Sequence, residues 1–155
     1  FDMLDAMLRK RIKEQLRISG WGEDARRCQA IEGIGPITAA MLATLWHRGD
    51  FGSSDAWIAF LGMDVRVRDS GTFRGRRKLT KKGDAEVRRL LYMAAMAARR
   101  SARWKPYYDR AVARGLTSIQ ALVALGRKLA RVAFALMKNQ TEYNPNSAGK
   151  ACAAT

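Results

Sequence analysis

The residues best placed to do chemistry lie between Val65 and Asp84, in the segment VRVRDSGTFRGRRKLTKKGD. Arg66, Arg68, Arg74, Arg76, Arg77, Lys78, Lys81 and Lys82 face only Asp69 and Asp84, so eight positives less two negatives leave +6. A segment this charged cannot enter a core. It must be a solvated loop or face, and the partner it suits is a polyanion. Its one serine, Ser70, stands in Asp69-Ser70-Gly71, which by local chemistry is a turn. A serine hydroxyl is a weak nucleophile at neutral pH unless a base activates it. His47 is the only histidine, and at the end of a helix it reads as a solvated or capping group before it reads as part of a Ser-His-Asp arrangement. The carboxylates are scattered singly among basic residues and outline no metal site. Divalent-metal chemistry, if any, has to be supplied by another domain or chain.

The whole chain shares the basic bias. In 155 residues, 29 Lys and Arg against 14 Asp and Glu give +15, which points to nucleic acid before acidic protein or a membrane surface. With 48% apolar residues the chain can build one domain core. Cys28 and Cys152 are far apart, without a CxxC pair or histidine cluster, and fit a reducing cytosol. No apolar run reaches the roughly 18 residues of a membrane span. Phe1 is not an initiator methionine and stands inside a helical pattern, so the chain reads as a fragment of a longer protein.

The elements that must position the basic segment are helical. Met3, Leu4, Met7, Leu8, Ile12, Leu16 and Ile18 recur at three- and four-residue steps, predicting an amphipathic helix that Ser19-Gly20 ends. Residues 1–20 read as a helical linker, either packed on its own domain or continuing a longer, coiled-coil-like helix. Next, RRCQAIEGIGPITAAMLATLW predicts a short helix to about Ala30, a turn at Gly33 and Gly35, and a second helix opened by Pro36. This resembles a helix-hairpin-helix, in which Gly33, Gly35 and Thr38 would offer a DNA phosphate a glycine turn and a helix N-terminus. A plain helical connection is the alternative. Ser53 or Ser54 caps a helix to about Leu61, and Gly62 stops it. Trp57, Phe60 and Leu61 share one face and read as core. Val65 and Val67 alternate with Arg66 and Arg68, as in a short half-exposed strand; the chain to Lys82 returns as a second strand or an irregular loop.

Asp84 is the expected N-cap of a long helix carrying Val87, Leu90, Leu91, Ala94, Ala97 and Ala98 inward and ending near Arg103. Pro106 opens a helix that Gly115 stops. Thr117 and Gln120 form a capping box for the last helix, whose apolar face is Ile119, Leu122, Val123, Leu129, Val132 and Leu136, with Arg127, Lys128, Arg131 and Lys138 opposite. The fold class is therefore mainly α, with at most a small β-hairpin, the main domain spanning residues 21–145. Residues 146–155 have too few large apolar groups to pack and read as a disordered tail.

Taken together, IEGIGPITAAMLATL, FLGMDVRVRDSGTFRGRRKLTKKGDAEVRRLLYMAA and ALVALGRKLARVAFALMKNQTEYNP resemble the C-terminal domain of the insertion-sequence one-ten family, the DEDD-type, RNA-guided transposases related to pilin-gene invertases. The likeness covers roughly Ala25 to Pro145, with three motifs in the family's order. It implies that a RuvC-like domain with four acidic ligands for a divalent metal such as Mg, and then a coiled coil, precede this domain in the full-length protein. It also implies that Ser70, which matches the family's serine before a basic stretch, is a nucleophile for DNA strand cleavage and rejoining. Arg88 falls in the string Lys81-Lys82-Gly83-Asp84-Ala85-Glu86-Val87-Arg88, matching the family's Lys-x-Gly-Asn-x-x-Leu-Arg and joining the DNA-binding set. Three positions depart from the pattern: Val65 replaces a common proline, Arg77 a common glycine and Asp84 the usual asparagine. The resemblance further implies DNA and a guide RNA as partners, a dimer or tetramer, and a bacterial, cytoplasmic, nucleoid-associated location, with this fragment inactive alone. A non-catalytic DNA-binding module and an RNA-binding protein remain the alternatives.

Overall fold

The computed structural model describes residues 1–66, 69–70, 73–74, 78–79 and 84–146, with side chains for 1–64 and 84–146. Among them are seven helices: α1 (Asp2–Ser19), α2 (Gly22–Gln29), α3 (Pro36–Trp46), α4 (Ser54–Phe60), α5 (Ala85–Ala98), α6 (Lys105–Ala113) and α7 (Ser118–Asn139). The fold is mainly α. Four two-residue strands, β1 (Val65–Arg66), β2 (Asp69–Ser70), β3 (Phe73–Arg74) and β4 (Lys78–Leu79), lie between α4 and α5. They pair antiparallel as β1 with β4 and β2 with β3.

The helix boundaries follow from local chemistry. Gly20, Gly62 and Gly115 take φ values of 78°, 73° and 96° just beyond α1, α4 and α6, a conformation open to glycine at little cost. Ser53 caps α4 by accepting from the Ala56 amide, and Asp84 caps α5 by accepting from Glu86. Thr117 and Gln120 form the reciprocal capping box at the head of α7. The long helix after Asp84 ends at Ala98, short of Arg103. The Ser101 hydroxyl donates to the Ala98 carbonyl and accepts from the Trp104 amide, which turns the chain into α6.

The core gathers around α7, which packs against α2, α3, α4, α5 and α6. Gly126 lets α5 come close: a Cβ there would lie 3.1 Å from the Leu91 carbonyl oxygen. Trp57 is fully buried and donates its indole N–H to the Ala130 carbonyl at 3.1 Å, so α4 is held on α7 by packing and a polar contact together. Phe60, expected in the core, is 41% exposed and packs on Phe51 at the edge of the aromatic group. Ile119 is likewise exposed in the first turn of α7, before the helix reaches its neighbours. Of the expected tail, residues 146–155, all but Asn146 lie outside the described residues.

Candidate nucleic-acid interface

The glycine turn joins α2 to α3 as the pattern IEGIGP requires, but its two glycines face different surroundings. Gly33 has φ 89°, and a Cβ on it would fall 2.3 Å from the Ala94 carbonyl oxygen and 2.8 Å from Ala98. Only glycine lets this turn seat against α5. Gly35 is the N-cap of α3, extended at φ −85°, with nothing within 4 Å of a Cβ position. Pro36 follows as the first helical residue, where its missing N–H leaves no bond unmade. Thr38 is buried at 8% exposure, so its side chain faces the packed side of α3. The turn thus offers open backbone at Gly35 and is anchored at Gly33 and Thr38.

Glu32, between the anchor and the end of α2, is held from two directions. It accepts from the Trp104 indole at 3.1 Å and from the Tyr143 hydroxyl at 2.5 Å. Burial, with the Glu32 carboxylate second, pushes the Tyr143 phenol up to about 12. A second polar network ties α2 to the ends of α3 and α7. Asp24, 7% exposed, accepts from Gln140 at 3.1 Å and from Arg27 at 3.4 Å and lies 2.8 Å from His47 Nε2. Trp21 stacks on the His47 ring, centroids 4.9 Å apart and planes 5° from parallel. The lone histidine is therefore a clamp between helices. Sequence reasoning missed both networks, because their members are far apart in the chain. Buried Cys28 has its thiol pushed up to about 12 by that burial, with Asp24 adding to the effect, and is an inert core residue.

The described residues of the basic segment form the two strand pairs between α4 and α5. Ser70 pairs with Phe73 and Asp69 with Arg74, while Val65 pairs with Leu79 and Arg66 with Lys78. The β2–β3 pair falls inside the span closed by β1 and β4. Asp69 and Ser70 thus have strand backbone where a turn was expected. Among the candidate contacts, Arg66, Ser70, Arg74 and Lys78 fall on these strands; Arg68, Arg76, Arg77, Lys81 and Lys82 lie outside the described residues. Arg88 stands on α5, half-exposed, one turn after its cap. The basic side expected of α7 is partly engaged within the fold. Arg131 pairs with Asp55 at 2.8 Å and donates to the Ser54 hydroxyl, and Lys138 donates to the Phe51 carbonyl.

Among the described residues no three His, Cys, Asp or Glu side chains gather as metal ligands. No helix among them is long and apolar enough to cross a membrane. The described residues thus give two short strand pairs between the capped helices α4 and α5, and a helix–turn–helix in α2–α3 with open space beside Gly35.

Residues 25–109 match the family described as Transposase IS116/IS110/IS902. The chain is 28% identical over 144 residues to the protein named "Insertion element IS900 uncharacterized 42 kDa protein" of Mycobacterium paratuberculosis, an alignment covering 91% of this chain and 34% of that protein. It is 32% identical over 142 residues to a "Probable family 20 transposase" of Pseudomonas aeruginosa, covering 87% and 42%. With the "Transposase for insertion sequence element IS1111A" of Coxiella burnetii it shares 29% over 137 residues, covering 84% and 38%. The family match takes in more than half of the chain, and the chain belongs to the IS116/IS110/IS902 transposase family. It spans about a third to two fifths of the length of these curated relatives.

Proposed function

We propose that this chain is the DNA-holding, serine-bearing part of a transposase. The observation that carries the reading is family membership over residues 25–109, a span that contains Ser70 and the whole basic segment. Arg66, Arg68, Arg74, Arg76, Arg77, Lys78, Lys81, Lys82 and Arg88 neutralise DNA phosphates, and the open backbone at Gly35 receives one more. The α2–α3 unit acts as a helix-hairpin-helix in which Gly33 and Thr38 fix the turn. If about six phosphates are neutralised, log affinity for duplex falls against log salt with a slope of roughly −5.

Ser70 attacks a backbone phosphorus. The Oγ–P bond forms, a P–O bond to the neighbouring sugar breaks, and the sugar leaves as a hydroxyl. In the second step a sugar hydroxyl of the partner strand attacks the phosphoserine and releases Ser70. Arginines of the segment stabilise the charge that builds on the phosphoryl oxygens. The divalent metal belongs to a RuvC-like domain elsewhere in the full-length protein. That protein works as a homo-oligomer with a guide RNA in the bacterial cytoplasm, and residues 1–20 link the two domains. The exposed apolar stripe of α1 supports the linker role.

The test is Ser70→Ala in the full-length protein with its RNA and DNA. DNA binding survives, while recombination and any covalent protein–DNA adduct disappear. Normal recombination by the variant would leave Ser70 a strand-end residue and this domain a binding module.

A further inference from the structure

The segment after α7 folds back along α2 instead of leaving the domain. Gln140 ends α7 in the left-handed conformation at φ 53°, and the Thr141 amide donates to the Leu136 carbonyl. The next side chains reach α2 and its turn. Gln140 Nε2 donates to Asp24 while Gln140 Oε1 accepts from Arg27; Tyr143 donates to Glu32. Between them Glu142 meets Arg26 in a two-pronged pair, with Arg26 Nη1 donating to Oε2 at 2.9 Å and Nη2 to Oε1 at 2.7 Å. Residues 140–143 form a strap across the flank of the helix that leads into the glycine turn.

Two features set Glu142 apart from the other strap residues. A fork-to-fork pair of this kind is the geometry in which arginine also receives a phosphate. The fit on the second arginine is poor: Arg27 is only 13% exposed, yet its Nε is buried without a hydrogen-bond partner and stands 3.7 Å from the nearer Glu142 oxygen. Both Glu142 oxygens already accept from Arg26, and in that placement neither comes within hydrogen-bond distance of Arg27 Nε. A phosphodiester offers two non-bridging and two ester oxygens around a wider centre, enough to meet the Arg26 fork and the unpaired Arg27 Nε together. The Arg26–Glu142 pair is itself solvent-exposed, at 52% and 60%, and exposed ion pairs hold weakly.

We infer that Arg26 and Arg27 form a phosphodiester-binding site beside the α2–α3 turn, which Glu142 occupies until a nucleic-acid phosphate displaces it. The inference rests on the reading of that turn as a DNA contact. In the free protein the strap closes the site. On the nucleic acid a backbone phosphate takes the place of the carboxylate, and the strap lifts from α2 at Glu142 while Tyr143 stays anchored on Glu32. Arg26 also pairs with Glu23 within α2, so it remains oriented when Glu142 leaves.

The experiment measures binding of the full chain to a random-sequence DNA duplex over a range of salt. Four proteins are compared: wild type, Glu142→Gln, Asp109→Asn, and Glu142→Gln combined with Arg26→Gln. Asp109 pairs with Lys105 on α6, so its neutralisation makes the same change in net charge elsewhere. Glu142→Gln binds about threefold more tightly than Asp109→Asn, and its log–log salt slope steepens by about 1, as for one gained phosphate contact. The gain vanishes when Arg26 is also changed. Equal affinities for Glu142→Gln and Asp109→Asn overturn the displacement while leaving the DNA reading of the turn intact. A wild-type chain that fails to bind duplex overturns that reading and this inference with it. Hydrogen exchange gives an answer independent of any variant: adding duplex to wild type speeds exchange of the Thr141 amide, which donates to the Leu136 carbonyl at the root of the strap, and unchanged protection at saturating duplex rules the displacement out.

Discussion

The two ends of the chain are both amphipathic helices, and they have opposite fates. Helix α7 runs for 22 residues and buries eleven of them; α1 runs for 18 and buries none. In α1 Met3, Leu4, Met7 and Leu8 are all more than half exposed, and only Leu16 packs partly against the core. The periodicity that announces the helix is present in both. Periodicity says that a helix has an apolar face; what covers that face depends on where the neighbouring elements stop. Around α7 five helices converge, drawn close by small residues such as Gly126 and Ala130. Around α1 the main neighbours among the described residues are α2 and α3, which meet its C-terminal end, where Gly20 turns the chain so that the Trp21 amide can donate to the Leu16 carbonyl.

The contrast can be broken most directly in the middle of α7. Leu129 is fully buried, and its truncation leaves a cavity walled by helices that cannot all move in. Leu129→Ala is expected to cost about 2–5 kcal/mol in urea unfolding. A loss below about 1 kcal/mol would mean that α7 is not the packing centre of the domain. The head of the same helix depends on local bonds instead. Thr117→Ala removes the acceptor for the Gln120 amide and is expected to cost about 1 kcal/mol.

How much of this was legible in the sequence follows the same division. Caps and stops were readable because they are local: Ser53, Asp84, Thr117 with Gln120, and the glycines after α1, α4 and α6 act on residues two to four positions away. The polar networks were not. Nothing near Glu32 says that Trp104 and Tyr143 will meet on it, nor that Asp24 will gather His47, Arg27 and Gln140. The GIG turn was found, but the sequence treated its glycines alike, whereas packing on Ala94 and Ala98 makes Gly33 an anchor and leaves Gly35 open. Asp69 and Ser70 pair as strand with Arg74 and Phe73, a partnership that the local Asp-Ser-Gly pattern does not announce. For the candidate site, Ser70 and the basic residues were proposed from sequence, and the strap over Arg26 and Arg27 came only with the fold.

A smaller effect sharpens the comparison at the C-terminal end. The Tyr143 phenol is raised to about 12 from a usual 10, so the neutral form is favoured in the folded state. That stability is fully present below pH 10 and is lost as the pH rises through 12. Tyr143→Phe should therefore show a flatter fall in stability across this window than wild type. Cys28 contributes its own loss from about pH 9 upward in both proteins, so it cancels from the difference. Parallel curves would mean that the strap is not held by its tyrosine.

The smallest effect is expected in α1, and it is the one that decides whether the two ends differ. Leu8 lies in the apolar stripe at a position equivalent in pattern to a buried leucine of α7, but it is 53% exposed. Its truncation removes little area from contact with protein and opens no cavity. Alanine is also at least as good a helix former as leucine, so the backbone does not suffer. Leu8→Ala in this chain should leave stability within about 0.5 kcal/mol of wild type, with the same urea dependence. Leu16→Ala, made eight residues further along the same stripe, should cost more, because Leu16 packs on the core where α1 meets α2 and α3. If Leu8→Ala cost as much as Leu16→Ala, the whole stripe would be covered in solution, and the difference between the two ends of the chain would collapse.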